Sequence, residues 1–416
     1  MTQYIIYEDE KTSNFNPLVY FRPVYELRCG IFTLREKAEI LFSEKFDLHS
    51  RKFLQNVLEE KFPERKINRF TGDEMIFLNG RAIFNDKTAK AIKDAPVNTA
   101  FINNGEVVAA KVTKKMFVEL FNEFELLDFN NAREKLTNVD VQVKTLSYVW
   151  DAIYENGSEI ISDASQFFNK RKNQNNLNYE GVWFLNRENI FIGENVKIYP
   201  TVVLDASDGA IVIDDNAVIM PQSVIQGPAY IGKKSIVKIG AKIYHETTIG
   251  EVSKVGGEVE NSIIHSYSNK QHDGFLGHAY LGGWVNLGAS TNNSDLKNNY
   301  GKISVKLNGK SVDTGLQFLG LIMGDHSKTA IGTLFNTGTI VGVSSNIFGA
   351  GFPPRAIPSF AWGGSDFIKE YKLEKAIEVA EIVMSRRKIE LTASMRKLFE
   401  YVFESTKNER RSLRGK

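Results

Sequence analysis

From Ile213 to Val255 an aliphatic residue stands at every sixth position without a break: Ile213, Ile219, Ile225, Ile231, Val237, Ile243, Ile249 and Val255. With aliphatic residues filling roughly a quarter of positions, eight in one register arise by chance on the order of once in tens of thousands of trials. The residues four further on are Ala217, Ser223, Ala229, Ser235, Ala241, Thr247 and Ser253, all small. Helices repeat at 3.6 and strands at 2; a period of six belongs to a chain that turns a corner every six residues, with room there only for small side chains. That is a parallel β-helix. The spacing resumes in another register at Phe275, Leu281 and Leu287, and again at Phe335, Val341 and Ile347. Glu258–Asp273 and Asn292–Phe318 therefore read as inserted loops, the segments on which such scaffolds carry chemistry. Parallel crossovers are normally right-handed, and the spacing itself shows no exception.

The repeat occupies less than half of 416 residues, a length that accommodates two or three domains. Residues 1–170 mix strand-like runs with helical patterns. Tyr4–Tyr7, Met75–Leu78, Thr99–Asn103 and Val107–Val112 read as strands, the last two joined through Asn103-Asn104-Gly105-Glu106 as a hairpin turn. Leu34–Phe42 and Lys114–Phe124 read as amphipathic helices. The polar, Asn-rich stretch Phe168–Tyr179 marks a boundary. The expected organisation is an α/β domain over 1–170, the β-helix over 180–362 and a helical extension over 365–416, where Phe367–Phe403 alternates charged and apolar faces. The basic tail Lys407–Lys416 reads as a frayed, solvated end.

Lys+Arg 52 against Asp+Glu 50 leaves a net charge of +2, which argues against a partner bound through counterion release, whether nucleic acid or a membrane surface. A single cysteine, Cys29, excludes an internal disulfide framework and a cysteine-based zinc site. No stretch reaches the roughly 18 apolar residues of a membrane span. A cytoplasmic protein is expected.

Five of the six histidines, His245, His265, His272, His278 and His326, fall in the β-helix region. His272 lies in a polar loop, Ser268–Gly277, where an imidazole can take a proton from an amine or hydroxyl attacking a thioester. A surface histidine in a loop is the bland alternative. Asn286, in Trp284–Thr291, and Asn299 and Tyr300 further on suit a polar ligand, although Asn-rich corners also stabilise β-helices by themselves.

Asn269-Lys270-x-His272-x-x-Phe275-Leu276-Gly277, Val285-Asn286-x-Gly288-Ala289-x-Thr291 and Asn299-Tyr300-Gly301 together resemble the acetyltransferase half of the bifunctional UDP-N-acetylglucosamine pyrophosphorylase/glucosamine-1-phosphate acetyltransferases. The whole chain, including Phe21–Leu27, Arg28-x-Gly30-Ile31-x-Thr33–Lys37 and Gly324–Lys328, is similar to a divergent bacterial subgroup of that family. The resemblance implies a left-handed β-helix, a homotrimer with active sites between subunits, His272 as the acetyl-transfer base, Asn286 against an amino-sugar phosphate and Ala289 against acetyl-CoA. It also implies an N-terminal domain of the nucleotidyltransferase type, using Mg²⁺, a sugar 1-phosphate and a nucleoside triphosphate, UTP or dTTP.

Several positions depart from the family pattern. Glu260 replaces the lysine before Asn261-Ser262, and Phe275 replaces a tyrosine. An acidic group there repels a sugar phosphate. The first strand is not followed by the Gly-rich phosphate loop of such domains; Arg22, Arg28, Gly30, Thr33 and Lys37 are the groups available to gather around a triphosphate, or else form a helix start and its ion pairs. Asp151 and Asp163 are the candidate metal carboxylates. The readings left open are an enzyme with both activities, an acyltransferase whose N-terminal domain only binds nucleotide, a zinc hydratase using His265, His272 and His278, and a non-catalytic trimeric scaffold.

Overall fold

The computed structural model describes residues 2–121, 125–170 and 178–411. Its N-terminal part is built on strands β1 (Thr2–Tyr7), β2 (Asp47–Leu48), β3 (Glu74–Asn79), β4 (Ala82–Ile83), β5 (Thr99–Asn103), β6 (Glu106–Thr113), β7 (Thr137–Asp140) and β8 (Lys144–Thr145). Six of them form one mixed sheet in the order β2-β1-β3-β6-β5-β7, with β1 parallel to β2 and β3 and with β6 antiparallel to β3 and β5. The β5–β6 hairpin closes on Asn104 and Gly105, both left-handed, as a two-residue turn between twisted strands requires. Alternation along the strands divides the burial. Ile5, Tyr7, Met75 and Phe77 pack on Phe117 and Phe129, while Ile6, Ile76 and Leu78 face the main core.

Helices α1 (Leu34–Phe42), α2 (Gln55–Lys61), α3 (Asp86–Asp94), α4 (Lys114–Leu120) and α5 (Val149–Lys170) flank this sheet. α1 opens with a capping box, the Thr33 hydroxyl accepting from Glu36 N–H and the Glu36 carboxylate from Thr33 N–H. α4 is shorter than its apolar pattern predicts, because Phe121 leaves helical geometry; the rest of the expected helix, residues 122–124, lies outside the described residues, as do residues 171–177 of the expected boundary segment.

Beyond α5 the chain winds as a left-handed parallel β-helix of about 10 turns. Each coil has three short sides, every one paired in parallel with the same side of the next coil. Ile213, Ile231 and Ile249 stack eighteen residues apart inside one side and are 0 % exposed. Each such burial stabilises by roughly 2 kcal/mol. The corners are left-handed residues recurring at six-residue intervals, with the one at Pro228 missing from the series: Asn216, Gln222, Lys234, Gly240, Glu246 and Val252. A non-glycine residue in that region costs about 1 kcal/mol, offset by ladder bonds such as Lys234 N–H to Asp215 O and Val252 N–H to Lys233 O.

Three expectations about the repeat need correction. Glu258–Asp273 is not an inserted loop but a continuing coil, with Val259, Ile264 and Lys270 pointing inward. Corners shortened between Val255 and Val259 and between Val259 and Ile264 hide it from a six-residue count. Phe275 is not the inward residue of its strand; Leu276 is, at 1 % exposure. The second expected insertion is real but starts later, since Asn292–Asn293 still forms a side. Past Asn293 the chain leaves the coil and forms an antiparallel hairpin, Ser304–Leu307 with Lys310–Asp313.

One outer face of the β-helix is apolar. Phe191, Val212 and Tyr230 on it are covered by Ile160 and Ala164 of α5. Further along, Ile263, Tyr280 and Ile322 join the core of the N-terminal part and of α6 (Leu373–Ser385) and α7 (Ala393–Ser405). The chain end is less free than its charge predicts. Arg410 is 1 % exposed, bonded to Glu370 at 3.0 Å and seated over Phe403. Residues 412–416 lie outside the described residues. Among the described residues no helix is long and apolar enough to cross a membrane.

Candidate functional site

The longest run of expected site residues falls on one edge of the β-helix. Lys254, Asn269, Asn286 and Lys328 pair in register through successive coils, so their side chains form an outward column while Val255, Lys270, Leu287 and Thr329 point in. Three residues after Asn269 comes His272, and three after Asn286 comes Ala289. The two occupy equivalent corner positions one coil apart, about 4.8 Å by the spacing of paired strands, tied by Ser290 N–H to Asp273 O at 2.9 Å. The structure thus brings His272, Asn286 and Ala289 together along one edge, with His272 exposed.

Two residues that were not singled out as site residues fix that corner. Lys270 fills an inner position that is aliphatic in the coils before it, and its ammonium donates to Gly256 O at 2.8 Å and to His272 O at 2.9 Å. Burial pushes its pKa down to about 8. Gly257 lies beneath at φ +70°, where any Cβ would stand 2.8 Å from His272 O and from the Lys270 ammonium. The sequence signal for Lys270 was a lysine at an inner position, visible only once the shortened corners are known.

Three other histidines of the β-helix are engaged. His278 Nδ1 bonds Asp295 at 2.8 Å and its ring stacks on Phe318, closing the inserted segment onto the coil. His265 and His326 are buried, which holds both well below the usual imidazole range; His265 Nδ1 accepts Ser266 N–H, and His326 stacks beside Trp284. No group of three or more His, Cys, Asp or Glu side chains among the described residues is placed to hold a metal ion. Asn299 makes a local turn, accepting Gly301 N–H at 3.0 Å, and Tyr300 is 68 % exposed beside it. Both lie on the inserted segment; no contact joins them to His272 among the described residues.

The expected phosphate-binding cations do not gather. Arg22 makes a forked pair with Asp325, and Arg28 bonds Glu251 at 2.6 Å, each tying the N-terminal part to the β-helix. Lys37 reaches across from α1 to Glu159 at 2.8 Å and Asp163 at 2.6 Å on α5. Burial alone would lower the Lys37 pKa, but the two carboxylates outweigh it and raise it. Lys37 and Asp163 do line a cavity of about 480 Å³, with Lys144, Asn85, Ser162 and Gln166. Asp151 is taken up at the start of α5, accepting Ser147 and Tyr148 N–H groups, and Asp163 accepts Ile31 N–H at 2.8 Å. Twelve residues apart on one helix, these two carboxylates are roughly 18 Å apart along its axis. They do not fit a shared Mg²⁺.

Residues 4–172 match the family model described as sugar nucleotidyl transferase. The bifunctional sugar-1-phosphate nucleotidylyltransferase/acetyltransferase of Sulfurisphaera tokodaii is 26% identical over 233 residues, 52% of this chain and 56% of that protein. The chain thus spans little more than half of this relative. The bifunctional protein GlmU of Methanococcus aeolicus is 25% identical over 351 residues, 79% of this chain and 81% of that one. Among solved structures, the Arabidopsis UDP-N-acetylglucosamine acyltransferase aligns with a TM-score of 0.29 at 16% identity, over 50% of this chain and 79% of that one. The chain is thus similar to sugar nucleotidyl transferases over residues 4–172, and to bifunctional nucleotidylyltransferase/acetyltransferase proteins at 25–26% identity over 52% to 79% of its length.

Proposed function

We propose that the chain serves sugar-nucleotide biosynthesis, its β-helix transferring an acetyl group from acetyl-CoA to an amino-sugar 1-phosphate and its N-terminal domain handling the sugar 1-phosphate with UTP or dTTP. The observation that carries the first half is the edge itself: an exposed imidazole at His272, with Ala289 at the equivalent corner and the Asn286 amide on the column beside it. His272 takes the proton of the sugar amine as its nitrogen attacks the thioester carbonyl. The C–N bond forms, the C–S bond breaks, and the imidazolium returns its proton to the departing thiolate. The proposal includes a homotrimer, as the resemblance implies, in which a second subunit would close the exposed site at His272.

A specific observation favours a narrower reading of the N-terminal domain. Lys37, Arg22 and Arg28 each spend their charge on carboxylates rather than on a triphosphate, which supports an acyltransferase whose N-terminal domain does not synthesise a sugar nucleotide. One incubation separates the readings: glucosamine 1-phosphate, acetyl-CoA, UTP and Mg²⁺, with products read by mass spectrometry. UDP-N-acetylglucosamine means both steps; N-acetylglucosamine 1-phosphate alone means acetyl transfer only. If neither product forms, the proposal falls. His272→Ala should abolish acetyl transfer with the oligomer intact, and a variant of near-normal turnover would take His272 out of the mechanism.

A further inference from the structure

The loop between α6 and α7 brings two arginines onto the same column of the β-helix. α6 stops at Ser385; Arg387 N–H and Ile389 N–H both return to Met384 O, and Lys388 turns left-handed between them. Met384, Leu391 and Phe399 are buried on either side, so the position of this reversal is set by packing. From it Arg387 reaches Asn269 Oδ1 at 3.3 Å, the residue between Lys254 and Asn286 in the column. Lys238 lies one coil below, alongside Gly256. Burial first, and then repulsion from Arg387, Lys238 and Arg386 nearby, hold the Lys254 pKa below the usual lysine range. No carboxylate forms an ion pair with any of the four among the described residues. Four cations held together without a counter-charge cost free energy that an anion would recover.

We propose that the C-terminal helices complete a phosphate-monoester site on the β-helix, with Arg386 and Arg387 facing Lys238 and Lys254 across the anion and Asn269 orienting Arg387. The site lies three residues along the coil from His272 and extends the acetyl-transfer reading. A phosphate monoester can arrive from two sources here, the sugar 1-phosphate or the 3′-phosphate of CoA. A guanidinium fork matches either.

The test is binding to the full-length protein, read by calorimetry and by thermal shift. The probes are inorganic phosphate, glucosamine 1-phosphate against glucosamine, and CoA against 3′-dephospho-CoA. Wild type should bind phosphate. Arg386→Gln with Arg387→Gln should weaken it by roughly a hundredfold, about tenfold for each charged contact, and Arg387→Lys should retain part of the affinity. A loss confined to glucosamine 1-phosphate assigns the sugar; a loss for CoA, matched in wild type by removing its 3′-phosphate, assigns CoA. Either supports the site. Wild type that ignores phosphate, or a double variant that binds it equally, overturns it, as does a change of oligomeric state with phosphate affinity intact. Phosphate binding lost in the variant of a protein that transfers no acetyl group would leave this site standing and remove only the function proposed above.

Discussion

Lys270 shows how one buried charge shapes both stability and the candidate site. It is 2 % exposed, with its pKa lowered to about 8 by burial against a usual value near 10.5. Below pH 8 the lysine is protonated in both folded and unfolded chains, and the folded state bears the cost of the buried ammonium. Between about pH 8 and pH 10.5 the unfolded chain holds a proton that the folded chain has lost, so stability rises with pH by up to ~1.4 kcal/mol per unit from this group. Lys270→Met fills the same space without a charge. Denaturant midpoints measured from pH 7 to 9.5 should show a shallower rise in the variant than in wild type; identical slopes would mean that the ammonium is not buried in solution. The variant also frees the carbonyl of His272, so acetyl transfer should fall while the fold holds. Such a lysine is what sequence pattern reads least well, since a polar residue at a repeat position looks like the end of the repeat.

At the scale of elements, α5 joins the two halves of the molecule, and its fit depends on one residue without a side chain. A Cβ at Gly157 would stand 2.5 to 2.8 Å from the Glu246 side chain at a coil corner, and next to it Asn156 donates to Glu246 O and accepts from Gly30 N–H and Thr248. Gly157→Leu should lift α5 from the coils and cost ~1–3 kcal/mol by overpacking, read as a lowered midpoint of thermal unfolding. Gly157→Ala should cost less, because the Glu246 side chain can swing aside; equal midpoints for Leu and wild type would show that the contact is loose. The regular coils from Ile213 to Val255 were legible because every corner has the same length. The coil from Val259 to Lys270 was not, because two shortened corners shift the register. The start of α1 was legible from Thr33 and Glu36, whose capping is local. The roles of Arg22, Arg28 and Lys37 were not, because their partners Asp325, Glu251 and Glu159 lie more than a hundred residues away, and no local pattern connects them.

Over the whole molecule a shared core and the Arg22 and Arg28 ion pairs join the N-terminal part to the β-helix. The N-terminal core runs without a break into Ile263, Tyr280, Ile322 and Phe360 of the β-helix and into α6 and α7. Where the surfaces meet, Arg22 forks onto Asp325 and Arg28 reaches Glu251, while the Tyr280 hydroxyl donates to Arg28 O and accepts from Arg28 N–H, both at 2.8 Å. Asp325 is 2 % exposed, so its charge depends on Arg22. Removing one member of such a pair leaves the other buried and uncompensated, typically at a cost of 3–5 kcal/mol, whereas removing both costs much less. Arg22→Met alone should therefore destabilise by roughly 3 kcal/mol or more, and Arg22→Met with Asp325→Asn should recover a good part of that. Unfolding followed by circular dichroism and by tryptophan fluorescence should coincide in wild type and separate in Arg22→Met, as the β-helix outlasts the N-terminal part. Separate transitions already present in wild type would show that the two halves fold independently and that Arg22 and Arg28 are free for some other partner.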